Sequence, residues 1–185
     1  MSKTSHGGLQ SAIFAGGCFW CVESDFRKRP DIKDIESGYT GGNTDNPSYE
    51  TAAGSGHREA VRLWYDPEQT SYKELLAYFF AVHDPTDAGG SFHDRGHTYT
   101  SAIYYNTDKQ KDLAEDTIKT LDEAGVFDND IATDILPVDE FWTAEEYHQK
   151  YAEKNPGHYG AYRTASGREE FKKGHKQKIF NALGL

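Results

Sequence analysis

The chain has 185 residues, a length that suits one domain with a hydrophobic core of its own. Its 20 Lys and Arg side chains are outnumbered by 30 Asp and Glu, and the formal net charge of −10 argues against nucleic acid or an anionic membrane as the main partner. The longest apolar run, residues 75–82, is far shorter than the roughly 20 residues that span a bilayer. We therefore predict no membrane segment and a substrate that is neutral or attached to something neutral.

The chain begins with a strand-turn-helix pattern. Residues 9–15 are typical of a strand, and residues 18–29 carry apolar side chains at helical spacing before Pro30. Residues 32–39 alternate and predict a second strand that leads into a turn-rich loop.

The middle of the chain predicts another strand and a buried helix. Residues 60–65 are typical of a strand, and Ser71 is the expected N-cap of a strongly apolar helix over residues 72–83. A loop rich in Gly and His follows over residues 84–98 and is a candidate wall of a functional site. Residues 101–105 predict the next strand.

The remaining pattern again mixes helices and strands. Thr107 is the expected N-cap of a helix through residue 123, residues 131–136 predict a strand, and Thr143 is the expected N-cap of a helix through residue 154. The elements show neither strict βαβ alternation nor internal repeats. We predict an α+β fold, a two-layer α/β sandwich with a mixed, mainly antiparallel sheet and a ferredoxin-like core with additions.

We predict that residues 1–185 form a single catalytic domain, with residues 156–185 as a basic C-terminal extension. From Arg163 onwards six Lys and Arg face two Glu, and we expect this segment to be solvated and to lie at the surface. Residues 1–8 are hydrophilic and lack the apolar core of a secretory signal, so we expect a cytoplasmic protein.

Both cysteines of the chain lie in the pentapeptide Gly17-Cys18-Phe19-Trp20-Cys21, between the first predicted strand and the first helix. The N-terminus of a helix stabilises a thiolate, so this position indicates a reactive sulfur. The alternative is that both thiols are buried and act as small hydrophobic side chains. In a cytosolic protein, two cysteines at this spacing favour redox or metal chemistry over a structural disulfide.

A zinc-binding regulatory module is the competing interpretation. Cys18 and Cys21 together with His93 and His97 have the ligand types of a Cys2His2 site. Their spacing differs from that of the familiar zinc finger, and the two aromatic residues between the thiols would crowd a chelating turn. A general disulfide oxidoreductase is a third hypothesis. Phosphate-binding and serine-hydrolase motifs are absent from the sequence, so we expect neither chemistry. We also expect no metal and no bound cofactor.

Three further clusters follow turns and precede ordered structure, where a scaffold presents functional groups. In the first, Glu59 lies two residues before Val61, and burial there would raise its pKa so that it keeps a proton to donate. An ordinary solvated carboxylate is the alternative. In the other two, Tyr49 and Tyr99 offer phenolic hydrogen bonds to an oxygen, although most of the 12 tyrosines must belong to the core or its rim.

An ordered series of motifs extends over nearly the whole chain. They are Phe14-Ala15-Gly16-Gly17-Cys18-Phe19-Trp20, Gly38-Tyr39-Thr40-Gly41-Gly42, Asn46-Pro47-Ser48-Tyr49, Gly56-His57-Arg58-Glu59-Ala60-Val61, Tyr65-Asp66-Pro67, His83-Asp84-Pro85-Thr86, Asp94-Arg95-Gly96, Tyr99, Ser101-Ala102-Ile103, Ala144-Glu145-Glu146-Tyr147-His148-Gln149 and Lys154-Asn155-Pro156. With them the sequence closely resembles the A-type peptide-methionine sulfoxide reductases. A chance match to so many spaced motifs is not credible, whereas the two cysteines alone would be weak support.

The resemblance implies reduction of the S epimer of methionine sulfoxide, free or in proteins. It implies that Cys18 attacks the sulfoxide sulfur as a thiolate, which requires a lowered pKa, and is left as a sulfenic acid. Glu59 would protonate the sulfoxide oxygen, while Tyr49 and Tyr99 would hydrogen-bond it.

The resemblance also implies how the substrate is held. Asp94 would help to position water or the substrate backbone. Phe19 and Trp20 would wall an apolar pocket for the methyl group, and an asymmetric pocket would select one epimer. After Asp94 the family usually has Gln and Arg where this chain has Thr98 and Thr100. We expect a looser hold on a protein-bound substrate there, with the chemistry retained.

Recycling of Cys18 needs a second thiol. Many members of the family carry resolving cysteines in a C-terminal tail, but residues 155–185 contain none. Either Cys21 attacks the sulfenic acid and thioredoxin reduces the resulting disulfide, or a small thiol or glutaredoxin acts on Cys18 directly. We favour Cys21, although its side chain, one helical turn after Cys18, could instead belong to the core.

Overall fold

A computed structural model describes residues 6–185, which form eight strands around which the helices are arranged. In chain order the strands are β1 (Gln10–Ala15), β2 (Ile32–Thr40), β3 (Arg58–Tyr65), β4 (Gly90–Ser91), β5 (Asp94–Arg95), β6 (Ala102–Tyr105), β7 (Asp134–Pro137) and β8 (Phe141–Thr143). Six of them make one mixed sheet in the order β7-β6-β1-β3-β2-β8. Only the β6–β7 pair is parallel, and the other four pairs are antiparallel. β4 and β5 form a separate hairpin.

The helices of the described residues are α1 (Phe19–Arg27), α2 (Tyr72–Val82), α3 (Asp108–Glu123), α4 (Tyr151–Lys154), α5 (Pro156–Ser166) and α6 (Arg168–Leu183). The predicted caps of α2 and α3 are confirmed. The Ser71 hydroxyl accepts the Glu74 N–H in a capping box, and the Thr107 hydroxyl accepts the Gln110 N–H. No helix in this part of the chain combines the length and the apolar character needed to cross a membrane.

Successive side chains of β1 point to opposite faces of the sheet, and each face carries its own hydrophobic cluster. Ala12 and Phe14 belong to the large core under the helices, whereas Ile13 and Ala15 belong to a smaller cluster on the opposite face. The Phe14 ring lies 4.7 Å from that of Phe79 in α2, measured between centroids. A fully buried side chain of this kind stabilises the fold by about 1.5–3 kcal/mol, so β1 and the turn after it have a rigid support.

The predicted helix from Thr143 to residue 154 is wrong. Thr143 instead ends β8, which pairs with β2, and only the four-residue α4 is helical near the end of that range. Gly38 in β2 makes this pairing possible, because a Cβ atom there would lie 2.4 Å from the Trp142 carbonyl oxygen. A nonlocal contact with a glycine thus overrides a local capping signal.

The expectation that residues 163–185 are a solvated surface segment is also wrong. Ile179 and Leu183 of α6 are buried in the large core, against which α6 packs. Arg163 is buried too, and its guanidinium donates to both carboxylate oxygens of fully buried Asp25 at 2.8 and 3.1 Å. Lys172 also reaches Asp25, at 3.3 Å, so two of the positive charges meet a carboxylate of α1 and the tail packs on the folded core.

Candidate active site

The turn between β1 and α1 places Cys18 at the start of the helix. Gly17 has a φ of +87°, and a Cβ atom there would lie 2.4 Å from the Cβ of Ser91, so only glycine fits. Cys18 is the N-cap residue of α1, and its carbonyl oxygen accepts the Cys21 N–H at 3.1 Å. Its side chain therefore lies at the positive end of the helix dipole.

A small cavity of about 60 Å³ opens beside Cys18. Its lining brings together seven of the eight residues predicted for the site and adds one that was not predicted: Cys18, Phe19, Trp20, Tyr49, Glu59, Asp94, Tyr99 and Tyr162. Cys21, the eighth predicted residue, is fully buried and does not line the cavity. The volume suits a small chemical group rather than a large ligand.

A larger groove of about 770 Å³ lies at the opposite end of β1, near Gln10, Tyr72 and Gln110. Its lining contains no Cys, His, Asp or Glu. It therefore offers neither a thiol nor a carboxyl or imidazole group to act as a general acid, and the smaller cavity is the candidate active site.

Glu59 is a buried acid at the floor of this cavity. It lies in β3, is 4% exposed, and one carboxylate oxygen accepts the Phe19 N–H at 3.0 Å. Burial, with a smaller contribution from the negative charge of Asp94, raises the pKa of Glu59 from its ordinary 4.5 to about 8. At neutral pH the group is therefore mostly protonated and is able to donate a proton.

Cys18 and Cys21 are both free and buried. Burial raises the pKa of the Cys18 thiol, and the neighbouring Cys21 thiol and the charge of Glu59 act in the same direction. The expectation of a lowered Cys18 pKa is therefore wrong for the unliganded protein, because desolvation outweighs the helix dipole.

Three phenols and one carboxylate complete the polar side of the cavity. The hydroxyl of Tyr162, in α5, donates to Asp94 in β5. Burial raises the pKa of Tyr49, Tyr99 and Tyr162 above the ordinary phenolic value. All three phenols therefore stay protonated at neutral pH and can act as hydrogen-bond donors.

The aromatic side of the cavity is held by the segment after β8. The Trp20 ring stacks on Tyr151 at 3.8 Å between centroids, and its Nε1–H donates to Nδ1 of His148 at 3.0 Å. Phe19 packs against the same histidine at 5.0 Å. Both aromatic side chains predicted to bind substrate thus have fixed orientations.

The zinc alternative finds no support. Among residues 6–185, no three His, Cys, Asp or Glu side chains are grouped so as to hold a metal ion. The His97 ring instead makes a 3.2 Å hydrogen bond to the Gly56 carbonyl oxygen.

Tyr162 was not predicted, because residues 156–185 were interpreted as a basic extension of the domain. One signal was present: Tyr159, Tyr162, Arg163 and Ser166 recur at spacings of three and four residues, as on one face of a helix. Charged neighbours hid this pattern.

Comparison with known proteins agrees with the geometry. The family model described as peptide methionine sulfoxide reductase matches residues 10–179. The peptide methionine sulfoxide reductase MsrA of Bacillus licheniformis is 51% identical over 166 residues, which cover 89% of this chain and 92% of that protein. The crystal structure of reduced Mxr1 from Saccharomyces cerevisiae is similar with a TM-score of 0.76 at 33% identity, covering 85% of this chain and 93% of that one. Mxr1 in complex with Trx2 matches with a TM-score of 0.56 at 28% identity, covering 82% and 93%.

Proposed function

The chain belongs to the peptide methionine sulfoxide reductase family, and we propose that it reduces the S epimer of methionine sulfoxide, free or in oxidised proteins, to methionine. The observation that carries this proposal is the placement of a thiol, a protonated carboxyl group and phenolic donors around one small cavity with aromatic walls. Such a cavity accepts a methyl group on one side and the sulfoxide oxygen on the other.

In the first step the sulfoxide oxygen accepts a proton from Glu59 and hydrogen bonds from Tyr49 and Tyr99. Protonation makes the sulfur electrophilic and leaves Glu59 as a carboxylate, which takes up from solvent the proton that Cys18 released on becoming a thiolate. The Cys18 sulfur attacks, the sulfur–oxygen bond of the substrate breaks, and the oxygen stays with Cys18. One thiol and one sulfoxide thus become one sulfenic acid and one methionine.

The role of the carboxyl group follows from the raised pKa of Cys18. A buried thiol beside a charged Glu59 stays protonated, whereas the neutral acid removes one of the causes of that shift. The phenols and the neutral acid also stabilise negative charge that develops on the oxygen. Asp94, held by Tyr162, is placed to position water or the backbone of the substrate.

Recycling is proposed to pass through Cys21. Its thiol displaces water from the Cys18 sulfenic acid and forms a disulfide, which the dithiol of thioredoxin reduces by exchange. The mutual effect of the two neighbouring thiols on their pKa values supports this route, and so does the similarity to a relative solved in complex with Trx2. The complete burial of Cys21 would equally suit a structural role, and a small thiol could then act on Cys18.

Two further proposals concern fold and location. The connectivity β1-α1-β2-β3-α2-β6, with the strand order β6-β1-β3-β2, supports a ferredoxin-like core within a single catalytic domain that includes residues 156–185. Two free thiols support a reducing, cytoplasmic location.

The test is an epimer-resolved assay of the purified protein with dithiothreitol. We expect consumption of the S epimer only, and loss of this activity in Cys18→Ser. Equal turnover of both epimers, or full activity of the serine variant, would contradict the proposal.

A further inference from the structure

A buried guanidinium without a carboxylate partner lies behind the turn that carries Cys18. Arg168, the first residue of α6, is 1% exposed. Its nitrogens donate to the carbonyl oxygens of Val82 and Gly16 at 3.1 and 3.2 Å and to the Ser91 hydroxyl at 3.1 Å, while its Nε has no partner. Every acceptor is neutral, and no carboxylate in the described part of the chain pairs with this charge.

Arg163, five residues earlier, is a second buried arginine of this tail, and it differs from Arg168 in having carboxylate partners. It pairs with Asp25 and Glu169. Burying a charge without such a partner costs several kcal/mol. The hydrogen-bond acceptors of Arg168 and the Phe92 ring, 4.9 Å from its guanidinium carbon, leave this charge without a counter-charge, so it is available for a use beyond holding the tail.

The position of Arg168 indicates that use. A Cβ atom on Gly17 would lie 2.7 Å from a guanidinium nitrogen of Arg168, so the positive charge touches the backbone immediately before Cys18. The charge lowers the pKa of both thiols, in opposition to their burial. Arg168 is the cation with the largest effect on Cys18, whereas Arg163 is engaged by Asp25.

The other groups around Cys18 do not supply a positive charge. The ionisable side chains that face it from the neighbouring elements are Cys21, Tyr49, Glu59, Asp94, Tyr99 and Tyr162. His83, which faces Arg168 from the end of α2, is neutral because burial lowers its pKa to about 3. Carboxylates and phenols either oppose a thiolate or leave it without a counter-charge.

We propose that Arg168 is a positioning residue whose charge stabilises the Cys18 thiolate, both when the sulfur attacks and when it leaves during disulfide reduction. Its role in turnover rests on the proposed function, whereas its effect on the thiolate does not. The tail that carries resolving cysteines in other members of the family would here supply the counter-charge of the nucleophile.

The test measures the thiolate directly, without sulfoxide. In a Cys21→Ser background, the rate of Cys18 alkylation by iodoacetamide is followed from pH 6 to pH 11. Arg168→Gln removes the charge, Arg168→Lys keeps it but loses the forked hydrogen bonds, and Ser91→Ala removes one hydrogen bond only. We expect Arg168→Gln to raise the midpoint by about one pH unit, and the other two variants to leave it unchanged.

A midpoint that is the same in Arg168→Gln as in the parent would overturn the proposal, as would equal shifts in the Gln and Lys variants, which indicate a merely structural role. Circular dichroism verifies folding. Should Arg168→Gln not fold, Arg168→Lys still decides, since an unchanged midpoint supports the proposal and a raised one overturns it. Because alkylation needs no sulfoxide, failure here is distinguishable from failure of the proposed reductase activity.

Discussion

Replacing Glu59 by glutamine tests the acid chemistry of the cavity. The variant keeps the size of the side chain and an oxygen for the Phe19 N–H, but it has no proton of carboxylic acidity to donate. General acid catalysis contributes about 10²–10⁴-fold to a rate. We therefore expect the first-turnover rate of Glu59→Gln at pH 7 to fall by that factor, with the fold retained.

The pH profile gives the sharper signature. The reactive form has a protonated Glu59 and a Cys18 thiolate. Below pH 8 the acid is protonated, and the rate follows the thiolate, rising about tenfold per pH unit. Above about pH 8, the pKa of Glu59, loss of the acid offsets the further gain in thiolate, and the profile becomes flat until Cys18 itself has titrated.

The assay follows methionine released in a single turnover, without reductant, from pH 6 to pH 10. The wild type should break near pH 8, and Glu59→Gln should show no break there. A break at the same pH in the variant would assign it to another group. A loss of rate below tenfold would show that Glu59 is not the proton donor.

Three other predictions concern stability and recycling. Burial raises the folded-state pKa of Glu59 from 4.5 to about 8. The wild type should therefore lose stability relative to Glu59→Gln as the pH rises from 4.5 to 8, by about 5 kcal/mol in total. Urea unfolding of both proteins at pH 4.5 and pH 8 measures this loss, and a difference in unfolding free energy that is the same at both pH values would contradict the prediction. Arg163→Met should lower the free energy of unfolding by about 3–5 kcal/mol, because it leaves Asp25 buried with weaker partners, whereas Arg95→Met, which breaks an exposed pair with Asp87, should lower it far less; equal losses would refute the argument. Cys21→Ser should still release one methionine per chain in a single turnover but stop thioredoxin-driven cycling; undiminished thioredoxin-dependent rates would assign Cys21 a structural role.

Much of the fold could be predicted because its signals are local. The alternation in β1 and β2 and the caps at Ser71 and Thr107 depend on nearby residues, and the structure has these elements where they were expected. The segment after Pro137 could not be predicted in this way. Thr143 has the local pattern of a helix cap, but the space that Gly38 leaves in β2 decides that it ends a strand.

The residues of the candidate site likewise divide into those with a local sequence signal and those that only the tertiary packing brings together. Cys18, Glu59 and the aromatic pair after Cys18 could be found because they lie in distinctive motifs. Arg163 and Arg168 could not, since their charges look solvated until α5 and α6 pack on the core and bring them to Asp25 and to the turn before Cys18. The direction of the Cys18 pKa shift was likewise beyond the sequence, because it depends on the balance between burial and the helix dipole.

The most direct test of Cys18 as the nucleophile is the mass of the intact protein after one equivalent of the S epimer, without reductant. In Cys21→Ser, we expect the release of one methionine per chain and the gain of one oxygen, localised to Cys18. In the wild type, we expect the loss of two hydrogens, as the disulfide between Cys18 and Cys21 forms. Release of methionine with the mass of Cys21→Ser unchanged, or an oxygen on another residue, would contradict the account.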